Sequence, residues 1–134
     1  MVWPPRRHFE TLIAQAKNKL PHVNSIKQNI DMHRAIIDIE ATWQKYRVVI
    51  QEIHRPDNTI RYSYYLFTED NQLKHGFDNS CDRKAIRLKY GETWREHLQA
   101  EIPHQHDHNR QVTLTDEPMT YEKFVVWLTQ YLGN

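Results

Sequence analysis

The chain has 134 residues, a length at which one domain buries a sizeable core without disulfides or bound metal. Apolar residues make up 39% of it, with four Trp, seven Tyr and four Phe, and this composition excludes a disordered chain. The formal net charge of +1 excludes a bulk electrostatic attraction to nucleic acid or to an anionic membrane, so such a partner would need a local basic surface.

The sequence shows no pattern of secretion or membrane insertion. Cys81 is the only cysteine, so no intrachain disulfide can form. The basic start at Arg6-Arg7 lacks the apolar run of a signal peptide, and no apolar stretch reaches the length of a membrane span. We therefore expect one cytosolic domain, residues 1–134, with no membrane partner.

The first half of the chain changes from helical to strand periodicity. Apolar residues recur at helical spacing from His8 to Leu20, and Pro21 ends this predicted helix. The spacing in 23–32 fits a helical stripe, although a short strand is equally open. Alternating apolar and polar residues joined by short polar turns then predict an antiparallel meander, with strands at 35–43, 46–54, 59–67 and 72–77.

The second half combines short elements with one clear helix. The charged stretch 81–100 predicts one or two short helices broken by Gly91, and 111–115 fits a short strand. Thr120 is a suitable N-cap for an amphipathic helix that ends before Gly133. The predicted fold class is α+β, with an antiparallel sheet of four to five strands on which the N- and C-terminal helices pack.

The most concentrated titratable chemistry is a block of alternating histidines, His104, His106 and His108. On an extended backbone these side chains project to one side, about 7 Å apart, so two of them can converge on a metal ion or a phosphate. Neutral imidazoles bind zinc, with Asp107 or Asp78 as an oxygen ligand, but they also serve as metal-free acid–base groups. Considered alone, the block is most simply a solvated loop.

The pair Asp78-Asn79 follows the fourth predicted strand. Such residues usually cap strands and start turns through local backbone hydrogen bonds. The functional interpretation makes Asp78 a carboxylate that orients a histidine. It requires His104 or His106 to lie near Asp78 in space.

Two basic segments are candidates for binding a substrate. Arg61 and Tyr64 belong to a strand rich in tyrosine, and Arg83 and Lys84 begin the most basic run of the chain. Sheet packing and a solvated helix face are the ordinary explanations. The functional alternative is base stacking and phosphate binding, as in RNA recognition.

The order of several motifs resembles that of the TumE family of toxin-antitoxin toxins. A Tyr62-Ser63-Tyr64 strand is followed by Asp70-Asn71, then by Phe77-Asp78-Asn79, and later by Pro103-His104-Gln105-His106. An amphipathic helix closes the chain. The similar region covers about residues 46–132.

This resemblance implies the toxin half of a two-gene module whose cognate antitoxin is a helix-turn-helix protein. By analogy with other small α+β toxins, the expected activity is a metal-independent ribonuclease that needs no cofactor. The catalytic residues it implies are Asp78, Asn79, His104 and His106, with both histidines acting as acid and base. The residues expected to bind the substrate are Arg61, Tyr64, Arg83 and Lys84.

Alternatives remain open at this stage. The chain could be a non-catalytic domain that binds a protein or nucleic acid, and a homodimer is compatible with its composition. It could also bind zinc or another divalent metal at His104, His106 and His108.

Overall fold

A computed structural model describes residues 2–133 as one seven-stranded antiparallel sheet with helices on both faces. Each strand pairs with the next along the chain, so the sheet is a meander. The strands are β1 (His22–Ile30), β2 (Ala35–Trp43), β3 (Tyr46–His54), β4 (Ile60–Phe67), β5 (Leu73–Asp78), β6 (His104–His106) and β7 (Val112–Leu114). The helices are α1 (Arg6–Lys19), α2 (Arg83–Tyr90) and α3 (Tyr121–Leu132), with a 3₁₀ helix at Gly91–His97.

The predicted α+β class and the antiparallel meander are confirmed, but the sheet has seven strands rather than four or five. One addition is β1, for which the apolar spacing left helix and strand open. The register shifts between Val23 and Ser25, so Val23 pairs with Ala41 while Ile26 pairs with Ile39. This bulge brings two apolar residues three positions apart onto the same face of a strand, which is why the spacing resembled a helix.

The terminal helices cover one face of the sheet and form the main core. Phe9 and Leu12 of α1, with Phe124 and Leu128 of α3, are at most 2% exposed and belong to a single apolar cluster with the inner residues of β2 to β5. The hydroxyl of Thr120 accepts a hydrogen bond from the Lys123 N–H at 3.3 Å, which confirms the predicted N-cap.

The opposite face is covered only at the β5–β7 end, by α2. Ala85 and Ile86 of α2 form a second small apolar cluster with Ile102. The Asp82 carboxylate caps the helix by accepting hydrogen bonds from the Lys84 and Ala85 N–H groups. The short strand β6 lies beneath this cover, between β5 and β7.

No helix within residues 2–133 combines the length and the apolar character needed to cross a membrane.

Candidate functional site

The end of β5 brings the two predicted polar segments together. In the sheet register, Asp78 lies opposite Ser63 of β4 and opposite His104 of β6, while His106 lies opposite Gly76. Directly opposed residues of antiparallel strands project to the same face. The predicted proximity of the histidine block to Asp78 is therefore confirmed, and it follows from strand pairing.

Asp78 receives five donor groups although it is only 1% exposed. Its Oδ1 accepts hydrogen bonds from the N–H and the hydroxyl of Ser80, at 2.9 and 2.7 Å, and lies 3.0 Å from Nε2 of His104. Its Oδ2 accepts a short hydrogen bond from the Tyr65 hydroxyl and lies 3.2 Å from Nε2 of His106. This set of donors holds a buried carboxylate in its ionised form.

The pKa values of Asp78, His104 and Tyr65 are all shifted from their ordinary values. Burial alone would raise the pKa of Asp78, but the hydrogen bonds from His104, His106, Tyr65 and Ser80 hold it far below its ordinary value. Burial likewise opposes the charged form of His104, yet Asp78 and the Ile102 carbonyl raise the pKa of its imidazole. Burial first, then the bond to Asp78, raises the pKa of the Tyr65 phenol, so Tyr65 is a neutral donor.

His104 is buried completely, whereas its predicted role as an acid or base on the substrate requires an accessible imidazole. Its side chain is 0% exposed, and both ring nitrogens face oxygen atoms of the protein. A histidine without solvent access cannot contact RNA. It lies behind Asp78, against Oδ1 of the carboxylate.

His106 is the histidine of the block that reaches a cavity. Its side chain is 17% exposed and borders a cavity of about 510 Å³ between the sheet and the start of α2. Three cationic residues surround this cavity, and two aromatic rings form part of its wall. They are Arg83, Lys84, Arg110, Tyr65 and Phe67.

Other predicted site residues lie elsewhere. Tyr64 is 2% exposed and lies on the opposite face from His106, in the main core, where its hydroxyl donates to Glu52. Asn79 accepts a hydrogen bond from the Tyr62 N–H and donates one to the Ile60 carbonyl, which extends the strand pairing and lies away from His106. Arg61 is outside the lining of the 510 Å³ cavity.

The three histidines predicted as metal ligands do not form one group; Asp78 takes the place of His108 beside His104 and His106. Within residues 2–133, the ligand atoms of His104 and His106 lie within 4.8 Å of those of Asp78, whereas His108 belongs to no such group. His108 lies instead in an exposed turn after β6, because the strand ends at His106 and the alternation of side chains ends with it. Ser80 and Tyr65 already donate hydrogen bonds to the two Asp78 oxygens, so a metal ion at this group would have to compete with them.

Tyr65 and Gly76 were not predicted as site residues. Gly76 lies between Tyr65 and His106 in the sheet, and a Cβ atom there would lie 2.8 Å from Cδ1 of the Tyr65 ring. The missing side chain lets the ring lie across β5, where its hydroxyl reaches Asp78. A glycine inside a predicted strand was the available signal, because such glycines often mark a close approach.

A second group of titratable residues, also not predicted, lies on the other face of the sheet. Glu52 and His54 of β3 are each 3% exposed, and His8 of α1 joins them. The signal in the sequence was that the inner face of β3 continues from Val48 and Ile50 into a glutamate and a histidine. Charged residues at the core-facing positions of a strand require hydrogen-bond or ionic partners.

The fold and the site define this chain as a small α+β domain with a histidine–aspartate cluster beside a basic cavity. No protein-family model, curated protein or solved structure shows a significant match to it.

Proposed function

We propose that the protein is the toxin of a toxin-antitoxin module, similar to the TumE family, and that it cleaves RNA in the cytosol without a metal ion. The observation that carries this proposal is the environment of His106. Its Nε2 lies 3.2 Å from a buried carboxylate oxygen of Asp78, and its ring borders a cavity with three cationic residues.

The cavity suits a single-stranded nucleic acid. Arg83, Lys84 and Arg110 supply positive charge for a phosphodiester, and Asp82, the one acidic residue of the lining, is engaged as the cap of α2. Tyr65 offers an aromatic surface on which a base can stack. Basic and aromatic groups in one concave surface are the usual components of such sites.

The chemistry follows from the tautomer that Asp78 favours. A proton on Nε2 of His106 faces the Asp78 carboxylate, which leaves Nδ1 as the basic nitrogen. Nδ1 takes the proton of a ribose 2′-hydroxyl, the 2′-oxygen bonds to phosphorus, and the bond from phosphorus to the 5′-oxygen breaks. The departing oxygen takes a proton from water. Arg83 and Lys84 stabilise the negative charge of the phosphorane.

His104 contributes by holding Asp78 in place. Its buried imidazole, whose pKa is raised by Asp78, lies behind the carboxylate and favours the ionised form of Asp78 while that residue orients His106. The proposed catalytic group is thus a single histidine supported by a buried pair.

The test is growth inhibition on induced expression, together with cleavage of single-stranded RNA by the purified protein in EDTA. His106→Gln should abolish both effects. His108→Gln is the matched control, because it removes an imidazole from the same block without touching the cluster, and it should retain full activity. Equal toxicity of the His106→Gln variant would overturn the assignment, and RNA binding without cleavage by the wild type would identify a binding domain instead.

The proposed partner is a helix-turn-helix antitoxin. Coexpression of an adjacent small gene of that class should restore growth. Its protein should also copurify with this chain at a fixed stoichiometry. If coexpression does not restore growth and the two proteins do not copurify, the assignment to a toxin-antitoxin module is wrong, whether or not the protein cleaves RNA.

A further inference from the structure

The cluster of His8, Glu52 and His54 takes no part in the proposed RNA site. It lies on the face of the sheet that α1 and α3 cover, whereas the cluster at Asp78 lies on the face beneath α2. Nε2 of His8 lies 2.7 Å from Oε1 of Glu52, and Nε2 of His54 lies 2.8 Å from the same oxygen. Two imidazoles from different elements thus converge on one carboxylate oxygen.

The carboxylate is ionised and held from its other side. Burial alone would raise the pKa of Glu52, but the hydrogen bonds from His54, His8 and Tyr64 lower it to about 2. The Tyr64 hydroxyl donates to Oε2 at 2.7 Å, so Oε1 is the oxygen directed at the two histidines. A second hydrogen bond of this kind is the usual support of a metal-binding carboxylate.

A cavity opens beside His8 and Glu52. It has a volume of about 410 Å³, and His8 and Glu52 lie in its wall. His8 is 30% exposed, which gives an ion a path from solvent. Tyr121 also lines this cavity and is 3% exposed, yet its buried hydroxyl has no hydrogen-bond partner. Glu122 adds a second acidic residue to the wall.

We propose that His8, Glu52 and His54 bind a divalent transition-metal ion such as Zn²⁺, with a coordination position open to the cavity. Two histidines and one carboxylate with a free position form a common ligand set for zinc and for related metals. The three ligand atoms already lie within 4.8 Å of one another. The unpartnered hydroxyl of Tyr121 is available to a water or anion bound at the free position.

The ion requires a small local rearrangement. Ligand atoms about 2.0 Å from a tetrahedral zinc ion lie about 3.3 Å apart. The Nε2–Oε1 distances of 2.7 and 2.8 Å are shorter than that, so Glu52 withdraws as the ion enters. Its side chain lines the 410 Å³ cavity.

The metal would join α1 to the sheet. His8 lies in the first turns of α1, while Glu52 and His54 are the inner residues at the end of β3. A ligand that binds only the folded chain stabilises it in proportion to the logarithm of its concentration above the dissociation constant. Zinc should therefore raise the temperature of unfolding.

The experiment is a Zn²⁺ titration of the full chain against a chromogenic chelator, with Co²⁺ absorption as a readout of coordination. A Cys81→Ser background removes the only thiol, which is exposed. The variant is His8→Gln, a half-buried helix residue whose substitution leaves the sheet intact. The matched controls are His22→Gln, an exposed histidine outside both clusters, and His106→Gln, which disrupts only the cluster at Asp78.

One Zn²⁺ should bind per chain, and His8→Gln should weaken binding at least tenfold and remove the thermal shift, while both controls behave as the wild type. Co²⁺ should give visible absorption bands of a four- or five-coordinate ion in the wild type and in both controls, but not in His8→Gln. Absence of stoichiometric binding, or unchanged affinity in His8→Gln, would overturn the proposal. Loss of binding in His106→Gln would move the metal to the other cluster. RNA cleavage is measured separately, so neither outcome affects the test of the proposed ribonuclease.

Discussion

His104 and Asp78 form a fully buried ion pair in which Nε2 lies 3.0 Å from Oδ1. The other ring nitrogen, Nδ1, lies 2.6 Å from the carbonyl oxygen of Ile102. Both nitrogens therefore face acceptors, and an imidazole satisfies two acceptors only when it carries two protons. This arrangement, with the raised pKa of His104 and the lowered pKa of Asp78, favours an imidazolium beside a carboxylate; the two side chains are 0% and 2% exposed.

Asp78→Asn should destabilise the fold strongly. Removing one partner of a buried ion pair costs about 3–5 kcal/mol, because the other charge loses its compensation. The measurement is urea-induced unfolding followed by circular dichroism. Asp116→Asn is the control, because it removes an exposed carboxylate in the segment before α3 and should change the free energy of unfolding by less than about 0.5 kcal/mol.

The difference between wild type and Asp78→Asn should depend on pH. The pKa of His104 is raised above its ordinary value of 6.5, so its stabilisation is complete below pH 6.5 and declines as pH rises through the folded-state pKa. The pKa of Asp78 is lowered below 3.8, so its contribution is complete above pH 3.8 and declines as pH falls. The difference should be largest between these values, and a constant difference across pH would contradict the ion pair.

Gly76→Ala should displace the Tyr65 ring, because Gly76 lies between Tyr65 and His106 in the sheet. The new methyl would lie 2.8 Å from Cδ1 and 2.9 Å from Cε1 of the Tyr65 ring, so the ring must move away from Asp78. Overpacking of this kind costs about 1–3 kcal/mol. In a Tyr65→Ala background the same substitution should cost much less, and equal costs in both backgrounds would exclude the contact as the cause.

Period-two patterns predicted β2 to β5 well, because each strand has one apolar and one polar face. The pattern was weaker at β1, where the bulge between Val23 and Ser25 changes which residues share a face. A bulge depends on pairing with the next strand and has no local sequence rule that fixes its position. The same is true of β6, whose three residues are ordered by β5 and β7 rather than by their own propensity.

The residues of the candidate site could be predicted from the sequence, but which of them are open to the cavity could not. The pairing of Asp78 with the histidine block could be expected, because both segments adjoin predicted strands. Which histidine faces the cavity depends on how α2 packs, and Ala85 and Ile86 of α2 give no local indication of that. The cluster at Glu52 was missed for a related reason, since His8 is 44 residues away in sequence and only the packing of α1 joins it to β3.

The cationic residues of the cavity should set the salt dependence of RNA binding. Replacing Arg83 and Lys84 with glutamine should weaken binding and reduce the slope of log K against log salt by about 1.4, at about 0.7 for each phosphate contact with a single strand. Lys17→Gln with Lys19→Gln is the control, because it makes the same change in net charge at the exposed end of α1. Equal slopes for both double variants would mean that the cavity does not bind RNA.

Two adjacent tyrosines provide a matched pair of variants for the two clusters. Tyr64 and Tyr65 face opposite sides of β4, and each donates its hydroxyl to a carboxylate that is buried, Glu52 and Asp78 respectively. Hydrogen bonds to charged groups contribute about 1.5–3 kcal/mol, so either change to phenylalanine should lower the free energy of unfolding by a similar amount.

Their functional effects should separate. Tyr65→Phe frees Asp78 to move and should lower kcat for RNA cleavage more than it changes KM, because Asp78 positions His106. Tyr64→Phe should leave cleavage unchanged while weakening Zn²⁺ binding, because Glu52 loses the bond that directs Oε1 at the two histidines. Unfolding, cleavage and metal titration of both variants give the comparison. If both reduce cleavage equally, the loss comes from general destabilisation of β4 and not from the geometry around Asp78.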